Sequence, residues 1–373
     1  MESTEKERDG IIQANPDLSK PKVGSMLKVG FHKEKIKGYL EGKNILPVTL
    51  ELDLTSECTR VCPECPSANS PKHHSLSVEF VEKLFAMLEC QTPGLLLTGG
   101  EPTLSPIFSR VLEMARRFGF REIAVVTNGN LIDKPHIAEA LLNHATTIRL
   151  SIYDWEESSS PGFEDTLRRI ESLRNRISRE GSELKIGTSA LTSRIRVNKL
   201  VRLVELLQEA GTHWIYLHPL CSKWALGSPA LAEQDGVVLK IDEINEMNSG
   251  QPSVFFFRER YQHTPLNFKG YHASNFLLVV GADGFNYLAP EVKYQSQFII
   301  ADFNEDSIRG TLWETKRQNL ISSVRSQAYS PLQSRNRGIL YSHFIEGLIN
   351  QEKGALEDFK LVPRMRFLFP HIL

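Results

Sequence analysis

Between about residue 48 and residue 220 the chain repeats one pattern: a short run rich in leucine, isoleucine and valine, then a longer stretch with helical spacing of its apolar residues. The short runs are VTLELDLT (48–55), GLLLT (94–98), EIAVVT (122–127), TIRLSI (147–152), LKIGTSA (184–190) and WIYLHPL (214–220). Several are apolar on both sides, as strands of a buried parallel sheet are. The stretches near 77–90, 106–119, 134–144, 163–180 and 197–210 carry the helical period. Such alternation with short connections predicts right-handed crossovers and helices packed on the sheet. Six units are too few to close an eight-fold barrel. The expected fold class is therefore α/β, a partial (β/α)6 TIM-like barrel, in preference to an open doubly wound sheet.

The rhythm changes after residue 220. Residues 221–253 read as loop and helix, and FFFRER, FLLVVGADGFNYLAP and FIIADF predict two or three antiparallel strands with a hairpin turn at ADGFN. Helical patterns near 306–328 and 340–352 follow. Ahead of the barrel, residues 1–20 are polar, and a basic run (Lys28, His32, Lys33, Lys35, Lys37) predicts a short amphipathic helix before Pro47. The expected organisation is a polar segment and short helix over 1–46, the barrel over 47–220, and a smaller α+β extension over 221–373. The apolar end, RFLFPHIL, reads as a segment docked on the domain.

Composition narrows the class. With 41% hydrophobic and 24% charged residues among 373, the chain has the make-up of a soluble globular protein. A formal charge of −1 gives no global field for nucleic acid, and no apolar run is long enough for a bilayer. The start, MESTEKERDG, lacks the apolar core of a signal peptide. Five cysteines, three of them clustered, argue against a disulfide framework and for a reducing compartment, so a cytoplasmic location is expected.

That cluster is the main chemical signal. Cys58, Cys62 and Cys65 form CxxxCxxC, on a loop after the first strand. A tetrahedral zinc site or an ordinary cubane takes four protein ligands, and no fourth cysteine lies nearby, so one iron of a 4Fe-4S cluster is left open. The second strand runs into Thr98-Gly99-Gly100-Glu101-Pro102, where two glycines allow a close backbone approach to a ligand. The third ends in Thr127-Asn128-Gly129 and the fourth in Leu150-Ser151-Ile152-Tyr153. Polar residues thus recur at successive strand ends, on the rim where such barrels build active sites.

In these motifs the chain resembles the radical SAM superfamily, in which CxxxCxxC follows the first strand and GGEP the second. The resemblance covers about residues 45–220. It implies one 4Fe-4S cluster on Cys58, Cys62 and Cys65, with S-adenosylmethionine (SAM) chelating the fourth iron. It implies that Gly99, Gly100, Glu101 and Pro102 line the methionyl amino group, with Glu101 as acceptor. Ser151 falls where members contact the SAM carboxylate or ribose, and Asn128 and the Thr188-Ser189 strand end are candidates for the ribose and adenine side. The implied chemistry is reductive cleavage of SAM to a 5′-deoxyadenosyl radical that abstracts a substrate hydrogen, after reduction by a flavodoxin- or ferredoxin-type donor. One departure is Glu64, where an aromatic often precedes the third cysteine. The extension resembles a SPASM or twitch scaffold, but no cysteine follows Cys221, so no auxiliary cluster is expected.

Other candidates carry weaker signals. Cys221 follows the sixth strand and is a candidate hydrogen-atom donor, although a structural thiol is the plainer reading. Tyr216 and His218 alternate with Ile215 and Leu217, so one pair points inward, for substrate binding or proton transfer. Tyr153, Asp154 and Trp155 suit a pocket wall, and Arg194 and Arg196 suit an anion or a solvated helix approach. Cys90 reads as a small buried core residue, and His73-His74 as a solvated loop. The expected activity is on a small natural-product, nucleoside- or sugar-like molecule, by dehydrogenation, dehydration, epimerisation or decarboxylation. The alternative is modification of a ribosomal peptide, against which only about 45 residues precede the barrel, too few for a leader-binding winged-helix domain. A non-catalytic iron–sulfur sensor or electron-transfer protein is the rival from another class, with a structural zinc protein behind it.

Overall fold

The computed structural model describes residues 21–22, 24–62, 65, 73–88, 90–153, 161–192, 197–219, 232–247, 253–256, 261, 268–304, 308–324 and 337–373. The six expected strands are present as β1 (Thr49–Asp53), β2 (Gly94–Thr98), β3 (Glu122–Thr127), β4 (Thr147–Ile152), β5 (Lys185–Leu191) and β6 (Trp214–His218). They pair in parallel in that order, joined by α2 (Val78–Met87), α3 (Phe108–Arg117), α4 (Pro135–His144), α5 (Pro161–Glu180) and α6 (Leu200–Glu209). The short helix α1 (Lys33–Leu40) precedes them.

The extension departs from expectation. Two of its strands enlarge the parallel sheet. FFFRER lies partly outside the described residues, but its strand β7 (Ser253–Phe256) pairs in parallel with β6, and β8 (Leu277–Val280) pairs in parallel with β1 at the other edge. Only β9 (Phe285–Tyr287) and β10 (Ile299–Asp302) run antiparallel, completing the order β10-β9-β8-β1-β2-β3-β4-β5-β6-β7. Both open edges of a partial barrel present unpaired backbone groups, and strands from the extension cover them. The remaining helices are α7 (Ala232–Met247), α8 (Ile308–Leu312), α9 (Thr315–Ser323), α10 (Arg337–Ile349) and α11 (Lys353–Leu361).

Strand parity sorts the side chains. Leu50, Leu52, Leu95, Leu97, Ile148, Leu150, Ile215 and Leu217 face outward into one large core with the helices. The alternate positions face inward, and on β1 they are polar: Thr49, Glu51 and Asp53 are all buried. Buried carboxylates need partners, and the extension supplies them. Lys293 Nζ donates to Asp53 Oδ1 at 2.7 Å and to Glu51 Oε1 at 3.2 Å. Tyr294 donates its hydroxyl to Asp53 Oδ2 at 2.7 Å, and Arg337, opening α10, donates to Glu51 Oε2 at 2.8 Å. The two carboxylates hold the Lys293 ammonium well above its ordinary pKa, against the effect of burial.

The C-terminal residues close the N-terminal end of the barrel. Thr49 Oγ1 donates to His371 O at 2.6 Å and accepts from Leu373 N at 3.0 Å, and His371 N donates to Glu122 Oε2 at 2.8 Å. Lys28, from the basic run expected to form a short amphipathic helix, precedes that helix, is 3% exposed and bonds Ile372 O. The expected docking of RFLFPHIL thus takes the form of a plug.

Two outcomes follow from this packing. Lys293→Met leaves Asp53 with only the hydroxyls of Tyr294 and Thr98, without a cation, and Glu51 with Arg337 alone, and is expected to destabilise the fold by about 3–5 kcal/mol, measured by urea denaturation. Second, burial lowers His32 and His371, both at the plug, from 6.5 to about 4. They stay neutral in the fold while the unfolded chain takes up protons below pH 6.5, so stability is expected to fall as pH drops from about 6.5 to about 4. Hydrogen exchange at residues 368–373 over that range checks it.

Candidate active site at the C-terminal rim of the barrel

Beyond β1 the chain passes through Leu54 and Thr55 into the cysteine loop, and a backbone clasp closes the neck of that loop. Ser56 N donates to His74 O at 2.8 Å and Leu76 N to Leu54 O at 3.0 Å. Glu57 Oε1 accepts from His73 N at 3.0 Å. His73 and His74 are exposed here, as expected, and hold the loop's neck.

The Gly99-Gly100 pair seats this neck. Gly100 N donates to Thr55 O at 2.8 Å and Glu101 N to Glu57 O at 2.7 Å. A Cβ at Gly100 would lie 2.1 Å from Glu57 O, and one at Gly99, where φ is 125°, would lie 2.6 Å from Thr55 O. The close approach expected of these glycines is therefore made by the cysteine segment's own backbone.

Glu101 ties the rim together. Its Oε1 accepts from Thr103 N at 3.1 Å, Thr103 Oγ1 at 2.5 Å and Thr127 Oγ1 at 2.7 Å, and its Oε2 from Asn128 N at 2.8 Å. The carboxylate is 1% exposed, and Pro102 opens the short turn that follows it. Asn128, expected toward the ribose, instead turns its amide to the cysteine loop: Nδ2 donates to Thr59 Oγ1 at 3.0 Å and approaches Cys58 Sγ at 3.8 Å. Arg60 N also donates to Cys58 Sγ, at 3.4 Å. Burial, and then the Glu101 carboxylate, push the Cys58 thiol up.

Cys58, Cys62 and Cys65 stand on this one loop without a disulfide, with Cys65 N donating to Cys62 O at 3.1 Å. Among the described residues no three metal-ligating side chains are drawn to a single point. A lone zinc ion requires that convergence; a cubane takes each thiolate on a different iron. Three cysteines with no fourth nearby suit a cluster that leaves one iron open. Cys90, expected to be buried, is exposed at the end of α2, in a left-handed backbone conformation (φ 58°) at the opposite end of the barrel.

Ser151 lies on the inner face, in register with Ser189 and, across β5, with Tyr216. Ser189 is fully buried, and its Oγ has no hydrogen-bond partner among the described residues. Thr188 requires correction: it is in register with Leu150 and Ile215, both on the helix-facing side, so Ser189 is the inward residue of that pair. Tyr216 and His218 are the inward pair of β6, their rings stacked at 5.2 Å. Cys221, Glu64, Asp154, Trp155, Arg194 and Arg196 lie outside the described residues. Thr103, in the turn after β2, carried no signal in the sequence, and Thr127 was named there only as a strand end; the hydroxyls of both hold Glu101.

Comparison with known proteins agrees with this geometry. Residues 52–179 match the model of the Radical SAM superfamily. A GTP 3′,8-cyclase of Haemophilus influenzae is 34% identical over 110 residues, which cover 28% of this chain and 32% of the cyclase. A 7,8-dihydro-6-hydroxymethylpterin dimethyltransferase of Methanocaldococcus jannaschii is 31% identical over 87 residues, 22% of this chain and 17% of that protein. The chain thus matches about a third or less of the length of these curated relatives. Among solved structures, Streptococcus suis SuiB bound to precursor peptide SuiA superposes with a TM-score of 0.63 at 15% identity, over 84% of this chain and 76% of SuiB. The AdoMet-bound anSMEcpe structure does so with a TM-score of 0.58 at 15% identity, over 84% of this chain and 98% of that one. These two show a shared fold.

Gly100→Ala is expected to unseat the cysteine loop, destabilise the fold by roughly 1–3 kcal/mol, and lower the iron bound per chain after anaerobic reconstitution. Melting temperature and iron content measured together check both effects. By motif, by geometry and by family match, residues 52–179 of this chain are a radical SAM domain.

Proposed function

We propose that the chain is a radical SAM enzyme acting on a small organic molecule. One observation carries the reading: a three-cysteine loop seated by its own backbone on the Gly-Gly strand end, with inward hydroxyls below it. When bound, a reduced 4Fe-4S cluster supplies the electron that cleaves SAM, giving the 5′-deoxyadenosyl radical that takes hydrogen from the substrate. The chain's residues do the rest. Cys58, Cys62 and Cys65 would hold three irons, and the N–H groups of Arg60 and Asn128, which approach Cys58 Sγ, would stabilise charge there. The Gly99–Pro102 segment borders the methionyl end of SAM, and Ser151 and Ser189 offer hydroxyls to its carboxylate or ribose. The inner face keeps the reacting atoms from water. The cysteine loop is exposed at Cys58, which suits access by a flavodoxin- or ferredoxin-type donor.

The reactions that fit remain dehydrogenation, dehydration, epimerisation or decarboxylation. A second reading, modification of a ribosomal peptide, is favoured by the fold shared with SuiB, whose structure holds a precursor peptide. The interior cavity of about 70 Å³ beneath the rim suits one end of a small molecule.

The test is anaerobic reconstitution followed by EPR of the reduced protein. Adding SAM is expected to shift the cluster signal, and dithionite with SAM is expected to yield 5′-deoxyadenosine. Loss of the signal in Cys62→Ala is the companion result. A reduced cluster blind to SAM would sink the reading.

A further inference from the structure

Below the Ser151–Ser189 level the barrel interior holds the cavity of about 70 Å³, lined by Leu96, Val126, Arg149, Trp214 and Tyr216, with the C-terminal plug beneath. By volume it admits about five waters or a small polar group. The charged groups at its edge are nearly all engaged. Arg337 pairs with Glu51, which also holds Lys293, and Lys28 bonds the carbonyl of Ile372.

Arg149 is the exception. Its Nε is buried without an acceptor, and among the described residues it forms no ion pair. Glu51, Tyr153 and Tyr216 act on it only through space, and burial weakens its hold on its proton. Trp214 is the second exception: it is 4% exposed, and its indole N–H has no acceptor either. The two side chains share one level of the inner face, flanking Gly187, since Arg149 is in register with Gly187 and Gly187 with Trp214. A Cβ at Gly187 would lie 2.0 Å from Trp214 Cε2, the ring atom bonded to Nε1. The bare strand position therefore leaves room for the six-membered ring of the indole to lie over it, on the strand between Trp214 and Arg149.

A buried guanidinium or indole N–H that donates to nothing is costly. We propose that this cavity is the anchoring subsite for a carboxylate of the substrate, held by the Arg149 guanidinium and the Trp214 N–H. A planar carboxylate matches the guanidinium fork, and the cavity is sized for the headgroup, with the rest of the molecule extending toward Ser151 and Ser189. The assignment deepens the radical SAM reading and rests on it for the site of reaction. The carboxylate itself is bound without covalent change.

The probe is propionate, followed by ligand-observed NMR with the anaerobically reconstituted holoprotein in the presence of SAM. Propionate is expected to bind, and its neutral isostere propionamide to bind at least about tenfold more weakly. Arg149→Gln is expected to weaken propionate by a similar factor, Arg149→Lys by less, and Trp214→Phe by several-fold. If Arg149 served only to balance Glu51, Arg149→Gln would lower the melting temperature; on the present assignment the temperature stays level or rises. Equal affinity for the acid and the amide, an Arg149→Gln variant that binds propionate normally, or a lowered melting temperature overturns the proposal. Displacement of propionate by inorganic phosphate at much lower concentration also overturns it, in favour of a phosphate site. SAM cleavage by the wild-type protein is scored separately. Its failure would remove the enzyme reading, and failed propionate binding with cleavage intact would remove only the subsite.

Discussion

The molecule is organised by two carboxylates on the inner face of its first strand. Glu51 and Asp53 are nearly or fully buried, and a charge in that position is tolerated only with a partner in direct contact. The partners come from far along the chain: Lys293, Tyr294 and Arg337. Barrel and extension are therefore joined through their interiors as well as at the strand edges. The strand so pinned is the one that delivers the cysteine loop, which places the chemical rim at the end of the most firmly held element in the sheet.

The rim itself combines rigid support with exposed reach. Thr55 and Glu57 carbonyls accept from the Gly100 and Glu101 N–H groups, and Glu101 then gathers Thr103, Thr127 and Asn128. Asn128 passes the constraint back to the loop through Thr59. The circuit runs from the first strand to the second, to the third, and back to the loop. A buried carboxylate with four neutral donors is satisfied without a counter-ion, and Glu101 has four.

The six-strand pattern and the order of motifs were legible because both are local. A strand declares itself in five or six residues, and CxxxCxxC and GGEP need no distant partner. What failed depended on register or on long-range pairing. Thr188 and Ser189 are adjacent, and only the pairing with Leu150 and Ser151 decides which one faces inward. The run before residue 256 was read correctly as a strand, but its parallel direction is set by the neighbour at Trp214–Leu217. Cys90 looked like a core thiol by composition alone, and a turn residue with positive φ was invisible in the sequence. The polar alternation in TLELD was visible from the start. Its meaning required Lys293, some 240 residues away.

The same pairing rule gives the interior its direction. At the base, the hydrogen bonds of Thr49, Lys28 and Glu122 to residues 371–373 engage most of the polar groups, His371 Nδ1 excepted. At the level of β1, each carboxylate has its cation. One level carries donors that the fold leaves unsatisfied, around Arg149 and Trp214, and the next toward the rim carries Ser189. Unmet hydrogen-bonding capacity therefore runs along the inner face of β4, β5 and β6, from mid-barrel toward the cysteine loop. A small molecule with an acidic end and a hydroxylated or aliphatic body satisfies that series in order. A long peptide chain would have to satisfy it with a side chain or a terminus.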